Sequence, residues 1–219
     1  MNRQLALNIE LRDDATFSNY VGASADAVLQ TFLVSAPWTY IWGPPGSGRS
    51  HLLQACCHYK AASIYLSGLR THEVGVFEGL ESMSVICIDD VDEILCDAAW
   101  EEALFHLMNA VRDAGTRIIL SGERQARALA VKLPDLKSRI VAAVPIEITD
   151  LSDDEKLTVL MQRAHNRGFR LGEDVGKFIL SRSRRDMTRL LELLKILETE
   201  TLRQGKTVTI PFVKKTLKL

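Results

Sequence analysis

The sequence predicts an α/β fold: a five-stranded parallel sheet flanked by helices, followed by a small α-helical lid domain. Three observations carry this. From Thr39 to Ile148 a short apolar run, a turn and a helical stretch recur, the pattern of strands joined by crossover helices. A Gly-rich loop of phosphate-binding type sits between the first of those strands and a helix. Beyond Asp150 the strand signals stop and apolar residues recur at helical spacing.

The expected strands are Thr39 to Trp42, Ser63 to Leu66, Val85 to Ile88, Arg117 to Ser121 and Ala142 to Ile148, each rich in Ile, Val, Leu or aromatic residues. Between the third and fourth, Leu104, Leu107, Met108 and Val111 recur at i, i+3, i+4 and i+7, so an amphipathic helix covers one sheet face. In the lid, Ser152 and Glu155 form a capping box that opens a helix closed by Gly168. Val175, Phe178 and Ile179 mark a second helix, and Leu190, Leu191, Leu194, Leu197 and Leu202 a third that ends before Gly205. The tail from Thr207 to Leu219 is expected to add a short strand and a last helical turn. The expected divisions are an N-terminal peptide of residues 1–14, an α/β core of 15–150 and a lid of 151–219.

Composition bounds the function. The 219 residues are 47% hydrophobic and 25% charged, and 27 Lys+Arg against 28 Asp+Glu leave a net charge of 27 − 28 = −1. That excludes disordered and collagen-like classes and removes the simplest argument for a nucleic-acid binder, which meets a phosphate backbone with a basic excess. No apolar run is long enough to span a bilayer, and Met1 to Asp14 lacks a signal peptide's apolar stretch, so a cytoplasmic location is expected. Cys56, Cys57, Cys87 and Cys96 show neither zinc nor disulfide spacing and read as small buried apolar residues. The cluster Arg182, Arg184, Arg185 and Arg189 reads first as a solvated helix end.

Two motifs carry chemistry. Gly43-Pro44-Pro45-Gly46-Ser47-Gly48-Arg49-Ser50 fits the phosphate loop G-x-x-x-x-G-K-[ST] except that Arg49 replaces Lys. Glycines let backbone N–H groups turn around phosphate oxygens, the helix N-terminus adds its positive dipole end, and Ser50 offers a hydroxyl to Mg²⁺. Arg49 keeps the charge with a bulkier, forked head, so nucleotide binding is expected to survive with hydrolysis impaired. In the second motif, the strand Val85 to Ile88 ends in Asp89 and Asp90: Asp89 as the metal-side residue acting partly through water, Asp90 as the candidate base. Such acidic pairs also serve as helix caps.

With these parts in place the chain resembles AAA+ ATPase modules, specifically those related to the bacterial replication initiator DnaA. The residues that carry the resemblance are Thr16-Phe17-Ser18-Asn19-Tyr20-Val21, Ile88-Asp89-Asp90-Val91 and Gly122-Glu123-Arg124, although Ser121 and Glu123 stand where the family has Asn or Asp. Leu133-Pro134-Asp135-Leu136-Lys137-Ser138-Arg139 looks like the segment bearing an arginine finger, and Asp186-Met187-Thr188-Arg189-Leu190 like the lid segment whose arginine contacts the chain's own nucleotide. On spacing alone both arginines read as surface salt bridges. Tyr20 and Val21 are placed near the adenine by the same resemblance.

The ending Thr209 to Leu219 is similar to that of the Hda family of DnaA-homologous regulatory inactivators, and the chain stops there, where DnaA continues into a helix-turn-helix domain. Gln4-Leu5-Ala6-Leu7-Asn8-Ile9 resembles that family's clamp-binding peptide: Leu5, Leu7 and Ile9 would enter an apolar groove and Gln4 a polar pocket. Alone, these six residues read first as an edge strand or frayed tail. The resemblance implies an adaptor that is not itself an enzyme of appreciable turnover. Holding ADP (or ATP) with Mg²⁺, it would bind the DNA polymerase III beta sliding clamp, meet DNA mainly through it, form a nucleotide-dependent homo-oligomer, and use Arg139 to stimulate hydrolysis of DnaA-bound ATP. The rival expectation is a self-contained DNA-linked ATPase such as a helicase loader or truncated initiator.

Overall fold

In the computed structural model, residues 11, 15–34, 36–184 and 186–219 are described. The expected clamp peptide Gln4 to Ile9 and Arg185 lie outside them. The chain divides into two compact units: one holds the chain up to Pro44 with Gly48–Thr149, the other Pro45–Ser47 with Asp150–Leu219.

Five parallel strands make the sheet of the first unit: β1 Trp38–Trp42, β2 Ser63–Leu66, β3 Val85–Ile88, β4 Arg117–Gly122 and β5 Val144–Glu147, in the spatial order β2-β3-β4-β1-β5. Each lies where an apolar run predicts it. The last run is shortened at its start because Ala142 ends a helix, and Pro145 is tolerated because β5 is an edge strand. Strand side chains alternate between faces. Tyr40, Ile86, Ile88, Ile118 and Leu120 point into one core layer with Leu104, Met108 and Val111 of α3, Ala98–Ala114. Ile41, Val85, Cys87, Ile119 and Ile146 point into the other, with Leu52, Leu53 and Cys56 of α2, Arg49–Tyr59, and Val28 and Phe32 of α1, Ser24–Leu33. The helix α4, Pro134–Ala142, buries Leu136 and Ile140 in the first layer.

The second unit is helical. The Ser152–Glu155 capping box opens α5, Asp153–Asn166. α6, Glu173–Arg182, and α7, Met187–Gln204, follow as the apolar spacing predicts, with Gly205 in the left-handed C-cap of α7. Leu160, Ala164, Ile179, Leu190, Leu194, Leu197 and Val213 form this unit's own core. The tail departs from expectation: no strand forms there, and Ile210–Leu217 is a full helix, α8. Thr209 accepts the Phe212 N–H as its N-cap, and Pro211 in the first turn suits a position whose N–H needs no partner.

Cys56, Cys57 and Cys87 are buried as expected, and burial pushes the Cys56 and Cys87 thiols up. Cys96 is exposed, at φ +75°, its Sγ donating to the Ala130 carbonyl. Among the described residues no helix is long and apolar enough to cross a membrane.

Candidate functional site

The phosphate loop leaves the C-terminal end of β1, where the Gly43 N–H donates to the Gly122 carbonyl, and enters α2 at Arg49. Gly46 and Gly48 adopt φ +79° and +101°, a region side chains rarely enter, and so turn the chain as a phosphate cradle requires. Pro44, Pro45 and Gly46 are exposed, Ser47 is buried and Ser50 half-buried in the first turn of α2. Tyr20 lies beside this turn: its ring packs against Gly48 and meets His51 edge-on at 5.5 Å between centroids. Val21 is half-buried.

Arg49 is only 7% exposed, and its Nη2 donates to Asp90 Oδ1 at 2.8 Å. Its buried Nη1 has no hydrogen-bond partner among the described residues. A buried guanidinium with spare donor capacity, beside a cradle of glycines at a helix N-terminus, fits a phosphate.

Asp89, at the end of β3, is 3% exposed. Tyr65 at the end of β2 donates to its Oδ2 at 2.6 Å, and Ser121 of β4 donates to its Oδ1. Burial, then the Asp89 charge, pushes the Tyr65 phenol up, so it stays a neutral donor; it also lies within hydrogen-bonding reach of Ser50. Ser121 Oγ accepts the Asp90 N–H at 3.0 Å. Asp90 itself sits in the left-handed region at φ +49°, and burial, followed by repulsion from Asp89, raises its carboxyl to about 6 against the pull of Arg49. Tyr65 and Ser121 are the residues sequence reasoning missed as partners of the acidic pair.

No cluster of three or more His, Cys, Asp or Glu side chains able to hold a metal ion occurs among the described residues. The residues fit magnesium in one way: the Ser50 hydroxyl would bind it, Asp89 would hold it through water, and nucleotide phosphates would complete its shell. Each Asp89 oxygen already accepts one hydroxyl and keeps a lone pair for such a water.

Arg139 lies in the second turn of α4 and is half-buried. Its guanidinium stacks on Phe105 of α3 at 4.3 Å from the ring centroid and lies 5.7 Å from that of Trp38. Among the described residues no salt bridge holds it, and its buried Nη1 has no hydrogen-bond partner. Arg189, in the first turn of α7, is exposed and donates to Glu192 Oε2 at 2.9 Å. The structure thus brings Gly43, Gly48, Arg49, Ser50, Asp89, Asp90 and Tyr20 together at one end of the sheet.

Residues 65–147 match the family described as the bacterial DnaA ATPase domain, and residues 153–217 match the Hda lid domain. An uncharacterised Haemophilus influenzae protein is 36% identical over the whole of both chains. Domain III of the Thermotoga maritima replication initiation protein DnaA superposes with a TM-score of 0.80 at 20% identity, covering 96% of this chain and 98% of that one. AMPPCP-bound DnaA from Aquifex aeolicus gives 0.65 at 21% identity, over 89% of this chain and 69% of that one. At such identities the two solved structures show the fold. With its phosphate loop, acidic pair, five-stranded parallel sheet and lid, the chain belongs to the Hda-like, DnaA-related AAA+ proteins.

Proposed function

We propose that this protein is a regulatory inactivator of DnaA: an ADP-bound adaptor that sits on the DNA-loaded polymerase sliding clamp through Gln4, Leu5, Leu7 and Ile9 and places Arg139 against ATP held by DnaA. Hydrolysis of that ATP would inactivate the initiator and prevent a second round of chromosome replication. The observation that carries the reading is Arg139: a guanidinium on an aromatic platform that has, among the described residues, an unspent donor and no ion pair. Leaving such a half-buried platform costs about 0.5–2 kcal/mol. A cationic finger supplied in trans is worth roughly 10³ to 10⁵ in rate, or about 4–7 kcal/mol, so the stack does not prevent the transfer.

The Arg49–Asp90 pair supports the adaptor over an independent ATPase. It occupies the candidate base with the residue that replaces the loop lysine, so own turnover is expected to be negligible. Nucleotide then serves as a conformational ligand, with Mg²⁺ at Ser50 and Asp89 and Arg189 contacting it. ADP favours the active form, or a homo-oligomer, only by binding that form more tightly than the others.

The intact acidic pair Asp89 and Asp90 is the one observation favouring the second reading, a self-contained DNA-linked ATPase. ATP hydrolysis by DnaA with DNA-loaded clamp decides between them when the added protein is wild type, Arg139→Ala, or Gln4→Ala/Leu7→Ala. The adaptor predicts acceleration by the wild type only. Turnover of ATP by this protein alone, lost in Asp90→Asn and without effect on DnaA, would overturn it.

A further inference from the structure

Glu101 is a carboxylate in an unexpected place. It is 2% exposed and lies on the same stripe of α3 as Leu104, Met108 and Val111. Among the described residues no cation pairs with it. Instead its oxygens accept four backbone bonds: Cys96 N–H to Oε1 at 2.8 Å, Lys132 N–H to Oε1 and Oε2 at 3.1 and 3.0 Å, and Leu133 N–H to Oε2 at 2.7 Å. These bonds hold its carboxyl below the ordinary range although burial alone would raise it.

The two segments it joins matter. Cys96 lies six residues after Asp90, in the stretch that leads from the acidic pair to α3. Lys132 and Leu133 lead directly into α4: Leu133 is its N-cap residue, makes no side-chain cap of its own, and accepts the Lys137 N–H at 3.0 Å. Pro134 at the first position and Asp135 in the first turn favour a helix start there, but no side chain of α4 caps it; the Glu101 carboxylate ties the residues just before that start to α3. One turn further along α3, at i+4, Phe105 carries the Arg139 guanidinium. Residues four apart on a helix lie about 6 Å apart on one face. A single rigid helix therefore holds both the start of α4 and the side chain that α4 presents.

We infer that Glu101 is a positioning residue for Arg139, setting the origin of α4 against α3 so that the guanidinium is presented in one place. This rests on the finger role proposed above. Finger chemistry tolerates little misplacement, since an error of about 1 Å remote from the reacting atoms costs up to about 100-fold.

Glu101→Gln is the isosteric test, because one of its two oxygens becomes a donor facing backbone N–H groups. Stimulated hydrolysis by DnaA at saturating adaptor should fall about 10- to 100-fold, with the half-saturating concentration unchanged. An unchanged maximal rate in a folded Glu101→Gln variant overturns the inference. A second readout uses this chain alone: the Arg139 Nε–Hε resonance, shifted by the Phe105 ring, should move in Glu101→Gln, while that of Arg117, stacked on Phe32, stays in place. An unmoved Arg139 resonance in a folded variant also overturns the inference. Should Glu101→Gln fail to fold, Glu101→Asp, which keeps the charge but withdraws it by one methylene, takes its place in both measurements. If the wild type fails to stimulate DnaA at all, the function reading falls, and the resonance still decides whether Glu101 positions Arg139.

Discussion

Arg49 Nη2 donates to Asp90 Oδ1 at 2.8 Å, so the residue in place of the phosphate-loop lysine is bonded to the second carboxylate of the acidic pair. A lysine would offer a point charge on a flexible stem; the guanidinium fork can hold Asp90 with one nitrogen and keep the other for phosphate.

Arg49→Ala removes that second donor. A hydrogen bond to a charged group contributes about 1.5–3 kcal/mol, so ADP affinity is expected to fall about 10- to 100-fold. Arg49→Lys should lie between, since it keeps charge without the fork. Calorimetric titration with ADP measures both, and wild-type affinity in Arg49→Ala would remove Arg49 from the site.

Asp90 should titrate with a midpoint near 6 in the free protein, observable by carbon-detected NMR. Its folded value lies above its unfolded one, so the native state binds more protons between about pH 4 and 6. This group's contribution to stability is therefore full below about 4 and lost as pH rises through about 6. The unscreened shift of roughly two units corresponds to about 3 kcal/mol; with the side chain 40% exposed, screening leaves about 1 kcal/mol. Arg49→Ala should move the midpoint higher, because Arg49 lowers it. A midpoint at the ordinary carboxylate value would show that Asp90 is solvated.

Much of this architecture is legible in the sequence because its signals are local. The five apolar runs locate the strands, and the phosphate loop and acidic pair are short contiguous motifs. What was not legible depends on partners brought together by the sheet. Tyr65 reaches Asp89 across 24 residues and Ser121 across 32, and no periodicity within β2 or β4 marks either. Glu101 did leave a trace, a charge on the apolar stripe three residues before Leu104, which is the pattern of a buried carboxylate with backbone partners. The tail from Thr207 to Leu219 is expected to add a short strand and a last helical turn; the structure has no strand there and a full helix from Ile210, capped by Thr209.

Tyr65→Phe leaves Asp89 buried with one hydroxyl donor fewer. Loss of a bond to a buried charge costs about 1–3 kcal/mol, and urea unfolding should show it in the midpoint without a change of slope. Ser121→Ala should cost a similar amount, since it also frees the Asp90 N–H. Because both hydroxyls serve one carboxylate, the double variant should differ from the sum of the two. Strict additivity would show that the hydroxyls act on separate groups.

Gly48→Ala tests the cradle itself. At φ +101° a side chain is strained, and the added Cβ would lie 2.6 Å from Tyr20 Cε2. The left-handed backbone costs about 1–2 kcal/mol for an L-residue. The ring cannot simply retreat, because it packs against His51, whose Nε2 is bonded to the Thr16 carbonyl at 2.7 Å. ADP affinity and stability should fall together. Measured against a Tyr20→Ala background, Gly48→Ala should cost only the part due to φ. No cost there would mean that the loop relaxes freely at Gly48, and an undiminished cost that the backbone conformation alone sets it.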